Sequence, residues 1–145
     1  LSDEYIFIVK YHYLVSDKID WTPYKGFVYT FDETKDIAWL YLVSDMLITD
    51  YSSVMFDYSI LNRPMLFFAY DLEDYKENLR GFYFDFVNDI PGPISRDTDQ
   101  LIKDIKEYNE DSWKEKYKNY HDKFNGIDDG HASQKVIDVI KKVSR

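Results

Sequence analysis

The chain contains no cysteine among its 145 residues and only three histidines. The first absence excludes disulfides and thiol chemistry, and the two together argue against a structural zinc site. No apolar run reaches the roughly 18 residues that a membrane-spanning helix needs, and no basic segment followed by an apolar one marks a signal peptide. We therefore expect a protein of a reducing interior, with neither a membrane span nor a signal peptide in this sequence.

Basic residues are scarce: 18 Lys and Arg stand against 27 Asp and Glu, which gives a net charge of −9. Nucleic-acid binding relies on a basic surface that neutralises phosphates, and so does electrostatic docking on anionic lipid. The acidic charge balance therefore argues against both nucleic-acid binding and electrostatic docking on lipid by this chain. Solubility is the simplest reason for an acidic surface of this kind.

Hydrophobic residues make up 45% of the chain, and aromatic residues make up 19%. The length suffices for one domain with its own core, or for one half of a larger enzyme. Because the sequence enters an apolar run at residue 5, close to its first residue, we interpret it as a piece of a larger protein.

The first half of the chain alternates short apolar runs with segments of helical spacing. The runs predict strands at residues 5–9, 27–29, 46–48 and 65–69, and the spacing predicts helices at 36–43 and 53–61. Asp32 or Thr34 is the expected cap of the first helix. Strands alternating with helices indicate right-handed crossovers and a doubly wound, mainly parallel α/β sheet. The continuous apolar run at 5–9 is typical of a strand covered on both faces.

The second half of the chain lacks this alternation of strands and helices. Residues 71–88 predict a long loop with at most one helical turn, and residues 91–93, Pro-Gly-Pro, predict a rigid break. Three helices are then expected: one capped by Thr98 or Asp99 and ending at 108, one capped at 111–112 and covering 113–124, and one at 132–143. The last helix is expected to turn four apolar residues inward, namely Val136, Ile137, Val139 and Ile140.

Two serines, Ser52 and Ser53, stand where the third predicted strand passes into a helix. Ligands of doubly wound sheets lie beyond the carboxyl ends of the strands, and free N–H groups at a helix N-terminus suit phosphate. The serines and the first helix amides therefore form a candidate anion site. An ordinary N-cap is the alternative, and the lack of a glycine-rich loop excludes the usual phosphate fingerprints.

His12 follows directly on the first predicted strand, so it should emerge at the same edge of a parallel sheet as the serines. A histidine there can act as an acid, a base or a donor to phosphate oxygens, although a lone histidine in such a place is commonly just solvated or packed. His121 and His131 fall in or beside the predicted C-terminal helices, where we expect surface positions.

The stretch from Arg80 to Asp85 joins a permanent cation, a flexible glycine at Gly81 and several aromatic rings. This combination fits a ligand-contacting loop. The alternative is that the aromatic rings anchor a long loop while Arg80 pairs with Glu77 or Asp85.

Five segments, taken in order, resemble the C-terminal half of the CDP-glycerol glycerophosphotransferase family: HYLV, SDMLITDYSSVMFDYSILNRPMLFFAYDLEDY, RGFYFDF, PGPI and DDGHAS. These enzymes are the polyol-phosphate polymerases and primases that make wall teichoic acid in Gram-positive bacteria. The resemblance covers nearly the whole chain. It implies a two-lobed glycosyltransferase-B architecture in which residues 1–145 are a single Rossmann-like domain that binds the nucleotide donor.

The resemblance also implies roles for individual residues. His12 is similar to a catalytic histidine of the family that stabilises leaving-group charge beside the donor diphosphate. Ser52 and Ser53 are similar to the diphosphate contacts, and Asp50 and Asp57 belong to the same motif, where they would hold the loop.

Arg80 and Gly81 match a further family motif with a weaker implied contact to donor or acceptor. The reaction implied moves glycerol phosphate or ribitol phosphate from a CDP-polyol to a polyol hydroxyl on a lipid-linked acceptor and releases CMP. Hydroxyls, amides and an imidazole can neutralise the charge at phosphorus, so we expect no cofactor and no mandatory metal.

The family's acceptor-activating histidine belongs to an N-terminal lobe that this sequence does not include. The resemblance therefore implies that the chain alone does not turn over. It also implies a cytoplasmic enzyme that is peripheral on the inner face of the cell membrane. Glycerol or ribitol, and primase or polymerase, stay open.

Two alternatives remain. One is a glycosyltransferase of the same architecture that uses UDP or GDP sugars. The other is a non-catalytic α/β interaction module in which the serines only cap a helix.

Overall fold

The computed structural model describes residues 1–12, 19–32, 34–76 and 81–144. Within these ranges the chain divides into two compact units, Leu1–Asp45 and Met46–Arg145. The single donor-binding domain that we expect over residues 1–145 stays a prediction.

The first unit is built on two parallel strands and a helix. Its elements are β1 (Phe7–Val9), a 3-10 turn (Thr22–Tyr24), β2 (Val28–Thr30) and α1 (Ile37–Val43). Phe7 lies opposite Val28 in the register of the two strands. The predicted covering of this strand on both faces is wrong, since Phe7 and Ile8 are exposed. An apolar run shows that a strand can be covered, but the covering itself depends on partners elsewhere in the chain.

The cap of α1 also differs from the prediction. The carboxylate of Asp36 accepts a hydrogen bond of 2.9 Å from the amide of Ala38, so neither Asp32 nor Thr34 is the cap. Asp32 instead accepts from the amide and the hydroxyl of Thr34, at 2.9 and 2.8 Å. These bonds form a local turn two residues before the helix.

The second unit contains a three-stranded parallel sheet. Its strands are β3 (Leu47–Thr49), β4 (Met65–Phe68) and β5 (Ile94–Ser95), in the order β3-β4-β5. A short helix, α2 (Val54–Ser59), connects β3 to β4. Met65, Leu66 and Phe67 in the central strand are fully buried, as expected for a strand covered on both faces.

We did not predict β5, because a two-residue strand directly after Pro93 carries almost no periodic signal. Gly92 explains how the chain reaches it. A Cβ atom at this position would lie 1.9 Å from the carbonyl oxygen of Met65. Only a glycine lets the backbone pass so close to β4.

Five further helices belong to the described part of the second unit. They are α3 (Leu72–Asp74), α4 (Phe86–Asp89), α5 (Thr98–Lys106), α6 (Glu110–Phe124) and α7 (Ala132–Val143). Helices α3 and α4 lie between β4 and β5, and α5 to α7 follow β5. The caps are Asp97 for α5 and Asn109 for α6, whose side chains accept from helix amides at 2.8 and 3.0 Å. Our predicted caps, Thr98 or Asp99 and residues 111–112, are therefore wrong by one to three positions.

Helix α7 has the predicted bounds but not the predicted burial. Val136, Ile137, Val139 and Ile140 are between 43% and 59% exposed. The inward orientation is therefore wrong within the part of the chain that the structure describes. The amphipathic pattern identifies a face that can pack, without identifying what it packs against. The fold class itself, a parallel α/β fold with C-terminal helices, is confirmed.

Candidate functional site

The loop between β3 and α2 comprises residues 50–53 and leaves the sheet at the carboxyl end of β3. The carboxylate of Asp50 accepts a hydrogen bond of 2.9 Å from the amide of Ser52. This is an Asx turn, which fixes the backbone locally. Because the bond occupies the amide of Ser52, that amide is not a free donor for a ligand.

The two serine hydroxyls of loop 50–53 are only weakly engaged within the described chain. The hydroxyl oxygen of Ser52 lies 3.5 Å from the amide of Val54, which is longer than a normal N–H···O hydrogen bond. Ser53 occupies the N-cap position of α2 and makes no side-chain capping bond. Two hydroxyls thus lie at the end of a strand without a strong hydrogen bond that stabilises helix α2.

Tyr51 sits between Asp50 and the serines and is anchored at both ends of its side chain. Its hydroxyl donates to the Oδ1 atom of Asp71 at 2.8 Å, and its ring stacks on Tyr75 with centroids 4.0 Å apart. Burial, followed by the bond to Asp71, raises the pKa of the Tyr51 phenol. The phenol therefore stays a neutral hydrogen-bond donor near pH 7.

Four rings form one aromatic cluster behind loop 50–53: Tyr51, Tyr75, Phe82 and Phe86. Tyr51 lies 5.7 Å from Phe82 and 5.6 Å from Phe86 between centroids, and Phe82 stacks on Phe86 at 4.6 Å. Two phenylalanines of the RGFYFDF segment, Phe82 and Phe86, thus pack against Tyr51 of the loop that carries the serines.

Gly81 has a φ of +64°, a left-handed conformation that favours glycine, and its amide bonds the carbonyl of Tyr75 at 3.2 Å. This geometry gives Gly81 a part in turning the chain toward the aromatic cluster. Arg80 and Glu77 lie outside the described residues, so the predicted contacts of Arg80 stay predictions.

The carboxyl edge of the sheet gathers polar groups from all three strands. Loop 50–53 follows β3, Asp71 follows β4, and Arg96 follows β5. Arg96 forms an exposed ion pair of 3.2 Å with Glu73. Asp57, by contrast, is exposed on the first turn of α2.

Sequence reasoning missed Tyr51, Asp71 and Arg96. The first two are 20 residues apart, but each lies two or three residues beyond the end of a strand, and the two strands are neighbours in a parallel sheet. Carboxyl ends of neighbouring parallel strands meet at one edge, so that rule applied to residues 51 and 71 would have paired them. Arg96 was out of reach because β5 was not predicted.

His12 lies three residues beyond β1 and is exposed. It belongs to the first compact unit, whereas Ser52 and Ser53 belong to the second. Their predicted convergence on one pocket stays a prediction. Of the other histidines, His131 is exposed and the side chain of His121 is 34% exposed, 3.8 Å from Asp122.

The described ranges contain no cluster of three or more His, Cys, Asp or Glu side chains able to hold a metal ion. The described helices also include none that is long and apolar enough to cross a membrane.

A parallel α/β sheet with a serine-rich loop at the carboxyl end of a strand is typical of domains that bind nucleotides and phosphates. Residues 1–142 match the sequence model of CDP-glycerol:poly(glycerophosphate) glycerophosphotransferase. The chain belongs to this family.

Curated relatives agree with this assignment. The chain is 46% identical over 144 residues to the teichoic acid poly(glycerol phosphate) polymerase of Bacillus subtilis (strain 168), covering 98% of this chain and 19% of the relative. It is 42% identical over 144 residues to the teichoic acid glycerol-phosphate transferase of Staphylococcus aureus (strain NCTC 8325 / PS 47), covering 98% of this chain and 36% of that relative. A teichoic acid poly(ribitol-phosphate) polymerase of Bacillus spizizenii (strain ATCC 23059 / NRRL B-14472 / W23) is 43% identical over 152 residues, covering 97% and 22%.

Solved structures of the wall teichoic acid polymerase TagF have the same fold. One superposes with a TM-score of 0.85 at 43% identity, covering 98% of this chain and 35% of that one. A TagF variant soaked with CDPG superposes with a TM-score of 0.84 at 42% identity, covering 98% and 35%. The chain thus spans between about a fifth and about a third of the length of these relatives.

Proposed function

We propose that this chain is the donor-binding part of a transferase of wall teichoic acid synthesis. The enzyme moves glycerol phosphate, or ribitol phosphate, from a CDP-polyol to a lipid-linked polyol-phosphate acceptor and releases CMP. One observation carries the proposal: loop 50–53 holds two weakly engaged serine hydroxyls at the carboxyl edge of the sheet. The same fold in a TagF variant soaked with CDPG supports it.

In this proposal Ser52 and Ser53 donate hydrogen bonds to the donor diphosphate. An acceptor hydroxyl oxygen forms a bond to the phosphorus of the polyol phosphate, and the bond from that phosphorus to the CMP oxygen breaks. His12 donates to phosphate oxygens and stabilises the charge that develops on CMP. The reaction proposed needs no resident cofactor or metal, because the hydroxyls and the imidazole supply donors to the phosphate oxygens.

The proton of the acceptor hydroxyl needs a base, which we place in an N-terminal lobe outside this sequence. That lobe and the lipid-linked acceptor are the proposed partners, together with the CDP-polyol. We place the complete enzyme in the cytoplasm, peripheral on the inner face of the cell membrane. By the same reasoning, this chain alone binds donor without turning over.

A ligand titration tests the proposal. The chain is titrated with CDP-glycerol, CDP-ribitol, UDP-glucose and CMP, with amide NMR signals as the readout because they report even millimolar affinities. We expect the cytidine ligands to bind and to move the signals of Ser52 and Ser53, with UDP-glucose weaker. Preference for UDP-glucose would establish the sugar-nucleotide alternative instead.

Ribitol phosphate is the second candidate for the transferred group, because the relative of Bacillus spizizenii is a poly(ribitol-phosphate) polymerase at 43% identity. Comparing CDP-glycerol with CDP-ribitol in the same titration separates the two donors.

A further inference from the structure

Loop 50–53 is restrained from two directions. Asp50 holds the amide of Ser52 on one side. On the other side Tyr51 fastens the loop to the body of the second unit through its hydroxyl and its ring. Because Tyr51 is covalently adjacent to Ser52, any rotation of the loop must first release the tyrosine side chain.

The partners of Tyr51 are themselves tied to the central strand β4. Asp71 lies three residues beyond the end of β4, the central strand, whose residues Met65, Leu66 and Phe67 are fully buried. Phe86 in the aromatic cluster packs edge-on against Phe67 of that strand at 5.6 Å. The hydroxyl of Tyr51, through Asp71, and its ring, through Phe86, therefore both link loop 50–53 to the same strand. We expect a loop held in this way to present its serines in one orientation before any ligand arrives.

We propose that Tyr51, held by Asp71, is a positioning residue that sets the orientation of Ser52 and Ser53 toward the donor phosphates. This inference rests on the proposed function and adds to it a residue pair that does not touch the ligand. Preorganised donors bind an anion more tightly than donors that must first be ordered, because the ordering cost is met during folding.

The test compares five variants of the chain: Tyr51→Phe, Asp71→Ala, the double variant that combines these two, Asp71→Asn and Tyr117→Phe. Tyr51→Phe keeps the ring and removes only the hydroxyl. Tyr117→Phe is the matched control, because it makes the same chemical change and also removes a hydrogen bond, from the Tyr117 hydroxyl to the carbonyl of Arg63, away from loop 50–53. Thermal unfolding monitors the stability of each variant.

We expect Tyr51→Phe and Asp71→Ala each to weaken CDP-glycerol binding by about three- to tenfold, the size expected for one lost hydrogen bond. The affinity of the double variant for CDP-glycerol should be no lower than that of either single variant, because the two substitutions remove the same hydrogen bond. Asp71→Asn should restore most of the affinity, since the amide oxygen still accepts from the tyrosine. Tyr117→Phe should leave the affinity unchanged.

Amide NMR signals of the ligand-free chain give a second readout. Those of Ser52 and Ser53 should move in Tyr51→Phe and Asp71→Ala and stay in place in Tyr117→Phe. Donor binding that Tyr51→Phe and Asp71→Ala leave unchanged overturns this inference alone. Failure of the unaltered chain to bind CDP-glycerol overturns the proposed function, and this inference with it.

Discussion

At the scale of single residues, the serine pair distinguishes a ligand site from a helix cap. A working cap has a short bond, such as that of Asp97 to the amide of Gln100 at 2.8 Å. Ser52 offers only a 3.5 Å approach, and Ser53 offers no side-chain bond to its helix. The hydrogen-bond geometry therefore gives little support to the alternative in which the serines serve only to cap α2.

A pair of substitutions turns this difference into a prediction. Replacing both serines (Ser52→Ala with Ser53→Ala) should change the free energy of unfolding by less than about 0.5 kcal/mol, while Asp97→Ala should cost about 1 kcal/mol as a lost cap. Donor affinity should fall in the serine variant and stay unchanged in Asp97→Ala. Urea unfolding and the CDP-glycerol titration measure the two quantities. A serine variant that loses about 1 kcal/mol and no affinity would establish the capping role.

At the scale of elements, the approach of residue 92 to β4 sets how the sheet is completed. A methyl group there would meet the carbonyl of Met65 at 1.9 Å, and backbone atoms cannot move aside as a flexible side chain can. The short strand β5 pairs with β4 just beyond this point. The close contact therefore decides whether the third strand can dock.

Gly92→Ala should accordingly destabilise the chain by about 3 kcal/mol or more, as expected for severe overpacking. Gly130→Ala is the control, because that glycine has a φ of +77° but open space around it, so only backbone strain of about 1 kcal/mol applies. Urea midpoints measure both variants. Equal losses in the two would mean that the β4 contact relaxes at little cost.

The elements also show how far sequence reasoning reaches. Apolar runs located β1 to β4, and helical spacing gave α7 its bounds, because both signals are local to the segment. The caps were misplaced because a single Asp or Asn side chain decides them by its geometry. The exposed faces of β1 and α7 could not be foreseen, since burial depends on partners that are distant in the chain.

For the candidate site, the sequence predicted the loop with the serines but not the residues that hold this loop in place. Ser52 and Ser53 follow from strand-end chemistry. Asp50 came from the family resemblance, and its carboxylate accepts a hydrogen bond from the amide of Ser52 in the same motif. Tyr51 and Asp71 required the pairing of β3 with β4. The meeting of His12 with the serines depends on how two compact units are arranged and stays a prediction.

At the scale of the whole molecule, buried and half-buried phenols link stability to alkaline pH. Among the described tyrosines, burial raises the pKa of four, to about 12 in the case of Tyr108; the others are Tyr51, Tyr117 and Tyr120. An unfolded tyrosine loses its proton near pH 10, whereas these remain protonated in the folded chain. Above about pH 10 the folded state thus binds more protons than the unfolded state, and its stability falls as the pH rises.

We therefore expect the urea midpoint to be steady with respect to these groups up to about pH 10 and to drop between pH 10 and 12. Tyr108→Phe should make the drop shallower, because it removes one of the linked protons. Tyr83→Phe is the matched control: its ring is fully exposed, so the slope should match that of the unaltered chain. A midpoint that does not change from pH 9 to pH 12, or a Tyr108→Phe slope equal to that of Tyr83→Phe, would contradict the linkage.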